Sequence, residues 1–108
     1  MSQTRREKIE EMLADDPSDT FLRYSLSLEY EKEGRHEESL AGLRELMEDD
    51  PPYVPGFFMA GQQLAKRGKI DQAREMLRQG IENARTQGDM HAASEMSELL
   101  TSLGNLGE

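Results

Sequence analysis

The chain has 108 residues, of which 32% are charged and 35% hydrophobic, with a net charge of −9 and no cysteine. The absence of cysteine excludes disulfides, thiolate metal sites and thiol catalysis, and the negative charge argues against nucleic acid or an anionic membrane as a partner. Leucine and alanine far outnumber valine and isoleucine, which favours helices over strands. The composition therefore predicts one small all-helical domain.

The apolar residues recur with a helical period and predict six helices along the chain. The first covers residues 3–14 and ends before Pro17, because a proline disfavours helix in the residue that precedes it. The second covers residues 20–33, with Ser18 or Asp19 as its cap. The third runs from His36 to the acids before Pro51, and the others cover residues 55–67, 70 to at least 84, and 89–103.

Residues that lie 34 positions apart resemble each other. A fixed period of this length is typical of helical repeat proteins, in which each unit packs its apolar face against the next. Such proteins more often present binding surfaces than catalyse reactions. The matching residues are Gly34 and Gly68, which are also expected to stop helices, Pro17 and Pro51, Tyr24 and Phe58, and the series Ile9, Leu43 and Leu77.

Two consecutive units, residues 20–53 and 54–87, resemble tetratricopeptide repeats, whose pattern is W-x₂-L-G-x₂-Y…A-x₃-F…P over 34 residues. The second unit matches this pattern with Phe57, Ala60, Gly61, Leu64, Ala73 and Leu77. The first matches it with Leu26, Ser27, Tyr30, Ser39, Leu43 and Pro51. Small residues such as Gly61 and Ser27 allow the paired helices to approach closely. The departures are Arg23, which cannot fill the tryptophan pocket, and Arg85, which stands where the first unit has proline.

The resemblance implies an all-α, right-handed stack of antiparallel helix hairpins. Within a single domain of residues 1–108 we expect a half-repeat helix (3–17), two repeats (20–53 and 54–87), a capping helix (89–103) and a disordered tail (104–108). A cap is needed because a two-helix unit cannot bury its own apolar face. The stripes of helices 1, 3, 5 and 6, which contain methionine, are predicted to be core, with a flexible Met-rich binding surface as the alternative.

No catalytic site, metal site or cofactor is predicted, and the protein is not expected to be an enzyme. Residues 36–40 begin like the zinc motif H-E-x-x-H, but Leu40 replaces the second histidine ligand. The other histidine, His91, lies two helices beyond the unit that contains His36. The Asp-Asp-Pro runs at 15–17 and 49–51 lack the alternating ligands, glycine and distal glutamate of a calcium loop.

Some members of this family grip acidic chaperone tails with lysine, asparagine and arginine on the inner faces of the first helices. The matching positions here hold Tyr24, Leu28 and Met59, with Asp89 and Ala93 in the cap. Binding of chaperone tails is therefore not implied.

The first helix of each repeat lines the concave side in this family, which implies a partner-binding groove. Residues of the second helix share one face by their helical spacing, and the 34-residue period places residues of the fourth helix beside them. The alternative is that Tyr24 and Phe58 simply pack helix against helix. The predicted groove residues are Phe21, Tyr24, Leu28, Glu31, Phe58, Met59, Gln62, Ala65 and Lys66.

The leading functional hypothesis is a protein–protein interaction module that binds a peptide or a partner helix in the concave groove. The alternative is a self-assembling structural protein or a small acidic cytoplasmic chaperone for an export substrate. An enzyme or metal-binding protein is the weakest reading. We expect a monomer or weak homodimer that binds neither nucleic acid nor membrane. We also expect a cytoplasmic location, because no signal peptide or membrane span fits the sequence.

Overall fold

The computed structural model describes residues 2–106, and this part of the chain is built from helices joined by short turns. It contains no strand, which confirms the all-α fold class. The helices are α1 (Arg5–Asp15), α2 (Thr20–Lys32), α3 (His36–Met47), α4 (Val54–Lys66), α5 (Ile70–Thr86) and α6 (Met90–Leu106).

Polar side chains fix the starts of three helices. Thr4 and Glu7 form a reciprocal capping box, with the Glu7 amide 3.1 Å from Thr4 Oγ1 and the Thr4 amide 3.0 Å from Glu7 Oε1. Helix α1 therefore begins two residues later than predicted. Asp19, rather than Ser18, caps α2 by accepting the Leu22 amide at 2.9 Å. Asp89 accepts the Ala92 amide at 3.1 Å at the start of α6.

Glycines with positive φ end α2, α4 and α5. Gly34, Gly68 and Gly88 have φ of 79°, 77° and 79°, a conformation in which a glycine costs no steric strain. The residue after each one donates its amide back to the last helical turn, at 2.8 Å to Tyr30, 2.9 Å to Leu64 and 2.8 Å to Ala84. The predicted stops at Gly34 and Gly68 are confirmed.

The end of the last helix differs from the prediction. Helix α6 continues through Gly104 to Leu106, so the predicted disordered tail is wrong for residues 104–106. Gly104 does not take the positive φ of the three stopping glycines, and no proline follows it, so nothing interrupts the helix there. The rest of the predicted tail, residues 107–108, lies outside the described residues.

Each helix packs against its neighbours in the chain, and α4 also contacts α6. The repeat is visible in equivalent contacts between helices. Arg5 of α1 pairs with Glu29 of α2 at 3.3 Å, and 34 residues later Gln63 of α4 donates to Ser39 Oγ of α3 at 3.1 Å. Helix α1 therefore stands in the same relation to α2 as α3 does to α4.

Buried polar side chains also join α2, α3 and α4. Ser39 is fully buried, and its hydroxyl donates to the Ser27 carbonyl at 2.6 Å while it accepts from Gln63. These bonds satisfy groups that would be costly to bury alone. The repeat pattern indicated Ser27 and Ser39 as small residues at helix contacts, but it gave no indication of Gln63, because a lone glutamine inside a helix resembles a surface residue.

The apolar core is concentrated around α3 to α6. One cluster joins α4, α5 and α6, and a smaller one consists of Leu43, Leu46 and Ala60. Of the methionines expected in the core, Met96 is buried, but Met12 is 49% exposed. The prediction for Met12 is wrong because α1 packs mainly against α2, which leaves its other sides open.

Glycine allows the paired helices to approach closely in the second repeat. A Cβ atom placed on Gly61 would lie 2.7 Å from Leu77 Cδ2, and one on Gly80 would lie 2.6 Å from both Phe57 Cβ and Met96 Sδ. The expected role of Gly61 is confirmed.

Candidate functional site

The predicted groove residues belong to α2 and α4, and long-range contacts join the ends of these two helices. Near the start of α2, the Tyr24 ring packs against Tyr53, the N-cap residue of α4. Near its end, Glu31 forms an ion pair with Arg67, the cap residue of α4. These two contacts link α2 to the first and last cap residues of α4. We refer to the nine predicted groove residues as the α2–α4 face.

Two aromatic side chains of this face, Tyr24 and Phe58, are half-buried and held by packing. The Tyr24 and Tyr53 rings meet edge to face, with centroids 5.5 Å apart and planes at 63°. Burial raises the pKa of the Tyr24 phenol, and the nearby Tyr53 raises it further. Burial also raises the pKa of Tyr53. Phe58 packs against the cluster of α4, α5 and α6. Both rings therefore contribute to packing, yet part of each stays accessible.

Phe21 is the most exposed large hydrophobic side chain in the described residues, at 68%. It lies in the first turn of α2, one helical turn before Tyr24. Leu28 and Met59 are half-buried, as is Ala65, while Gln62 and Lys66 are exposed. The α2–α4 face is thus mainly apolar, with its exposed polar groups on α4.

Glu31 is held in a charged cluster between the two helices. Its carboxylate pairs with Arg67, and its Oε1 lies 2.7 Å from His36 Nδ1. Burial raises the pKa of Glu31, but hydrogen bonds to His36 and Arg67 and the charge of Arg67 outweigh it, so the pKa is lowered overall. The carboxylate is therefore occupied by contacts within the chain.

A cleft of about 600 Å³ lies where the connections α1–α2, α3–α4 and α5–α6 meet. Across it, Arg23 donates two hydrogen bonds to Asp49, from Nη1 to Oδ2 at 2.8 Å and from Nη2 to Oδ1 at 3.2 Å. Gln87 Nε2 donates to the Pro52 carbonyl at 2.8 Å. The cleft is lined by Ser18, Thr20, Arg23, Asp49, Asp50, Pro51, Pro52, Tyr53, Val54, Pro55, Gln87 and Asp89.

Sequence reasoning missed this cleft, although one signal for it was present. Arg23 departs from the repeat pattern at the tryptophan position, and an arginine there needs an acidic partner. The structure supplies Asp49, which belongs to an Asp-Asp-Pro run that sequence analysis considered only as a calcium site and excluded. The ion pair takes the place of the aromatic packing expected from the pattern.

The side chains that could bind a metal ion do not cluster in the described residues. Residues 2–106 contain no group of three or more His, Asp or Glu side chains that could hold a metal ion. His36 is 50% exposed, and His91 is 88% exposed and pairs with Glu95 on its own helix at 2.7 Å. As far as the described residues extend, no helix is long and apolar enough to cross a membrane.

No family model matches the sequence. The chain is 33% identical over 97 residues to a TPR repeat-containing protein of Pseudomonas aeruginosa, which covers 90% of this chain and 92% of that protein. These coverages show that the similarity extends along nearly all of both sequences.

Solved structures of similar proteins also include tetratricopeptide repeat domain proteins. The solution structure of a tetratricopeptide repeat domain protein from Salinibacter ruber is 33% identical and has a TM-score of 0.78, with 83% of this chain and 91% of that chain covered. A crystal structure of such a protein from the same organism has a TM-score of 0.72 at 33% identity, with 82% and 99% covered. A Bordetella parapertussis protein is 27% identical with a TM-score of 0.80, and the match covers 96% of this chain and 90% of that one.

Proposed function

Because the chain belongs to the tetratricopeptide repeat family, we propose that it is a non-enzymatic interaction module that binds a peptide or partner helix on the α2–α4 face. The family's fold in general supports protein–protein interaction. The choice of this face and of these residues is our proposal.

The observation that carries the proposal is the exposure of Phe21 beside packed aromatic and aliphatic side chains. A large apolar side chain that is 68% exposed gains free energy when a partner covers it. Exposed apolar patches on helical surfaces often mark binding sites, and aromatic residues contribute much of the energy at such interfaces.

The neighbours of Phe21 suit this role because their own positions are fixed. Tyr24 and Phe58 are held by contacts to the core, so binding does not require them to become ordered, which lowers the entropic cost of association. Gln62 and Lys66 are exposed on α4 and can form polar contacts at the edge. Glu31 acts through Arg67 and His36, by holding the ends of α2 and α4 together.

The alternative functions, self-assembly or a chaperone for an export substrate, would use the same apolar surface. For the resting state we propose a monomer, because a net charge of −9 on each copy opposes association of two copies. The cytoplasmic location stays a prediction.

The test replaces Phe21 by alanine and compares the proteins that co-purify from the native host. Because Phe21 is exposed, Phe21→Ala should leave the melting temperature in circular dichroism unchanged within error. It should nevertheless remove the partner identified by mass spectrometry with the original protein. Met12→Ala on α1 is the matched control, since Met12 is exposed but lies outside the α2–α4 face.

Recovery of the same partners with Phe21→Ala and with the original protein would place recognition elsewhere. Light scattering over a concentration series distinguishes self-assembly from binding of a different partner. A dimer that Phe21→Ala converts to a monomer would show that this face serves self-association.

A further inference from the structure

The charges of the molecule are distributed unevenly between its two ends. Because neighbouring helices are antiparallel, the connections α1–α2, α3–α4 and α5–α6 lie together at one end, which we call the loop end. The residues that line the 600 Å³ cleft come from all of these connections. Every aspartate except Asp71 lies at the loop end: Asp15, Asp16, Asp19, Asp49, Asp50 and Asp89.

The opposite end, formed by the connections α2–α3 and α4–α5, carries basic residues whose charges are largely balanced by glutamates, as in the pairs Lys32–Glu29, Arg35–Glu38 and Arg67–Glu31. We call it the turn end, and its basic residues include Lys32, Arg35, Lys66, Arg67 and Lys69. The α2–α4 face runs between the two ends. Phe21 lies two residues after Asp19 at the loop end, and Lys66 lies in the last turn of α4 at the turn end.

The aspartates at the loop end are not all neutralised by the chain itself. Asp49 is paired with Arg23, and Asp19 and Asp89 each cap a helix. Asp50 is exposed and forms no ion pair within residues 2–106. Apolar groups line the same cleft, among them Tyr53, Pro51 and Pro52. An acidic cleft with apolar sides suits a lysine or arginine, whose aliphatic stem packs while its charge meets a carboxylate.

We infer that the α2–α4 face binds a partner segment with apolar side chains for Phe21, Tyr24 and Leu28 and a cluster of lysine or arginine at one end. That basic end lies in the cleft against Asp50, so the charges determine the direction in which the segment binds. The inference rests on the proposed function and adds the chemistry and orientation of the partner. A basic partner is favoured over a second copy because two copies with a net charge of −9 repel each other.

The experiment selects binders from a phage-displayed library of random peptides, about 16 residues long, which is enough for a helix of some four turns. The immobilised target is the full chain. Dissociation constants of the enriched peptides are then measured by fluorescence anisotropy in low and high salt. The variants are Phe21→Ala, Asp50→Lys and the matched control Asp71→Lys, since Asp71 is an exposed aspartate outside the loop end.

The inference expects enriched peptides that combine apolar residues with a basic cluster at one end. Phe21→Ala should weaken their binding at least about tenfold, as expected for loss of an aromatic contact. Asp50→Lys should weaken it about fivefold or more in low salt and less in high salt, because salt screens an exposed charge contact. Asp71→Lys, which makes the same change in net charge, should bind like the original chain.

Two different failures can be told apart. Peptides that require Phe21 but carry no basic cluster, or that bind Asp50→Lys as tightly as the original chain, overturn this inference and leave the proposed function intact. Recovery of no peptide whose binding depends on Phe21 overturns both. If the original chain forms a dimer and Phe21→Ala is a monomer, the inference is also overturned, because a second copy of the chain would then occupy the face.

Discussion

Single residues at the contact between helices determine how closely the repeats pack. Gly80 faces Phe57 and Met96, and Gly61 faces Leu77, at distances that leave no room for a methyl group. Phe57 occupies the tryptophan position of the second repeat, so Gly80 allows that aromatic ring to lie against α5. In the first repeat the same position holds Arg23, whose ion pair with Asp49 replaces this packing.

Gly80→Ala should destabilise the fold. The new Cβ would meet Phe57 Cβ at 2.6 Å, and an atom so close to the backbone cannot move without separating α4 from α5. We expect a loss of about 1–3 kcal/mol in the free energy of unfolding, as is usual for overpacked cores, measured by urea unfolding. Gly104→Ala is the control: nothing lies within 4 Å of its Cβ position, so it should leave stability unchanged or raise it slightly. Equal stability of the two variants would contradict this packing.

Glu31 should make stability depend on pH in the acidic range. Its pKa is lowered in the folded protein by His36 and Arg67 despite the opposing effect of burial. The stabilisation is therefore present above the unfolded-state pKa, about 4.3 for glutamate, and is lost as the pH falls through the lower folded-state pKa. Glu31→Gln should be less stable than the original chain at pH 7, and the gap should close toward pH 3. The control is Glu37→Gln, since Glu37 is exposed in the first turn of α3. A gap that persists at pH 3 would show that Glu31 does not act through its charge.

Among the elements, the first and last helices play unequal parts. Ile9 is the only buried residue of α1, whereas α6 contributes Ala93, Met96 and Leu103 to the core. Helix α6 therefore covers the apolar face of the second repeat, while α1 covers much less of the first. Polar contacts make up part of the difference, because Arg5 binds Glu29 of α2 and Arg6 binds Glu33, the residue that caps the end of α2.

Removal of α6 should cost more stability than removal of α1. Truncation before Met90 removes Met96 and Leu103 and exposes the apolar surface that they cover. Each such side chain contributes about 1.5–3 kcal/mol on burial. Because the total stability of a domain is only about 5–15 kcal/mol, this form should melt far lower or aggregate. Deletion of residues 1–17 should lower the melting temperature less. Thermal unfolding by circular dichroism measures both, and a truncation before Met90 that is as stable as the full chain would refute the assignment of α6 as a cap.

At the scale of the whole molecule, the repeat brings together the residues of the proposed binding face and gives its two ends different charges. Antiparallel hairpins place every aspartate-rich connection at one end and every glycine turn except Gly88 at the other. Loops that are separated by 34 residues in sequence thereby become neighbours around one cleft. An uneven charge of this kind does not affect the fold, but it affects which partners approach and in which direction.

The sequence by itself determined the parts that depend on local interactions. The cap at Ser18 or Asp19, the stops at Gly34 and Gly68, and the spacing of Ile9, Leu43 and Leu77 all follow from neighbouring residues and from a constant period. They therefore predicted the helices and the family correctly. Even the wrong end of α6 was a local error, because a glycine within a helix resembles a glycine that ends one.

Only the tertiary structure decided which residues meet across the stack. It buried Met96 and exposed Met12, although both lie on apolar stripes, because α6 covers the core whereas α1 has one main neighbour. It joined Arg23 to Asp49 and Glu31 to Arg67, pairs for which the sequence offers many alternative partners. A helical period specifies the face on which a side chain lies, but the distance and angle between helices specify what that side chain contacts.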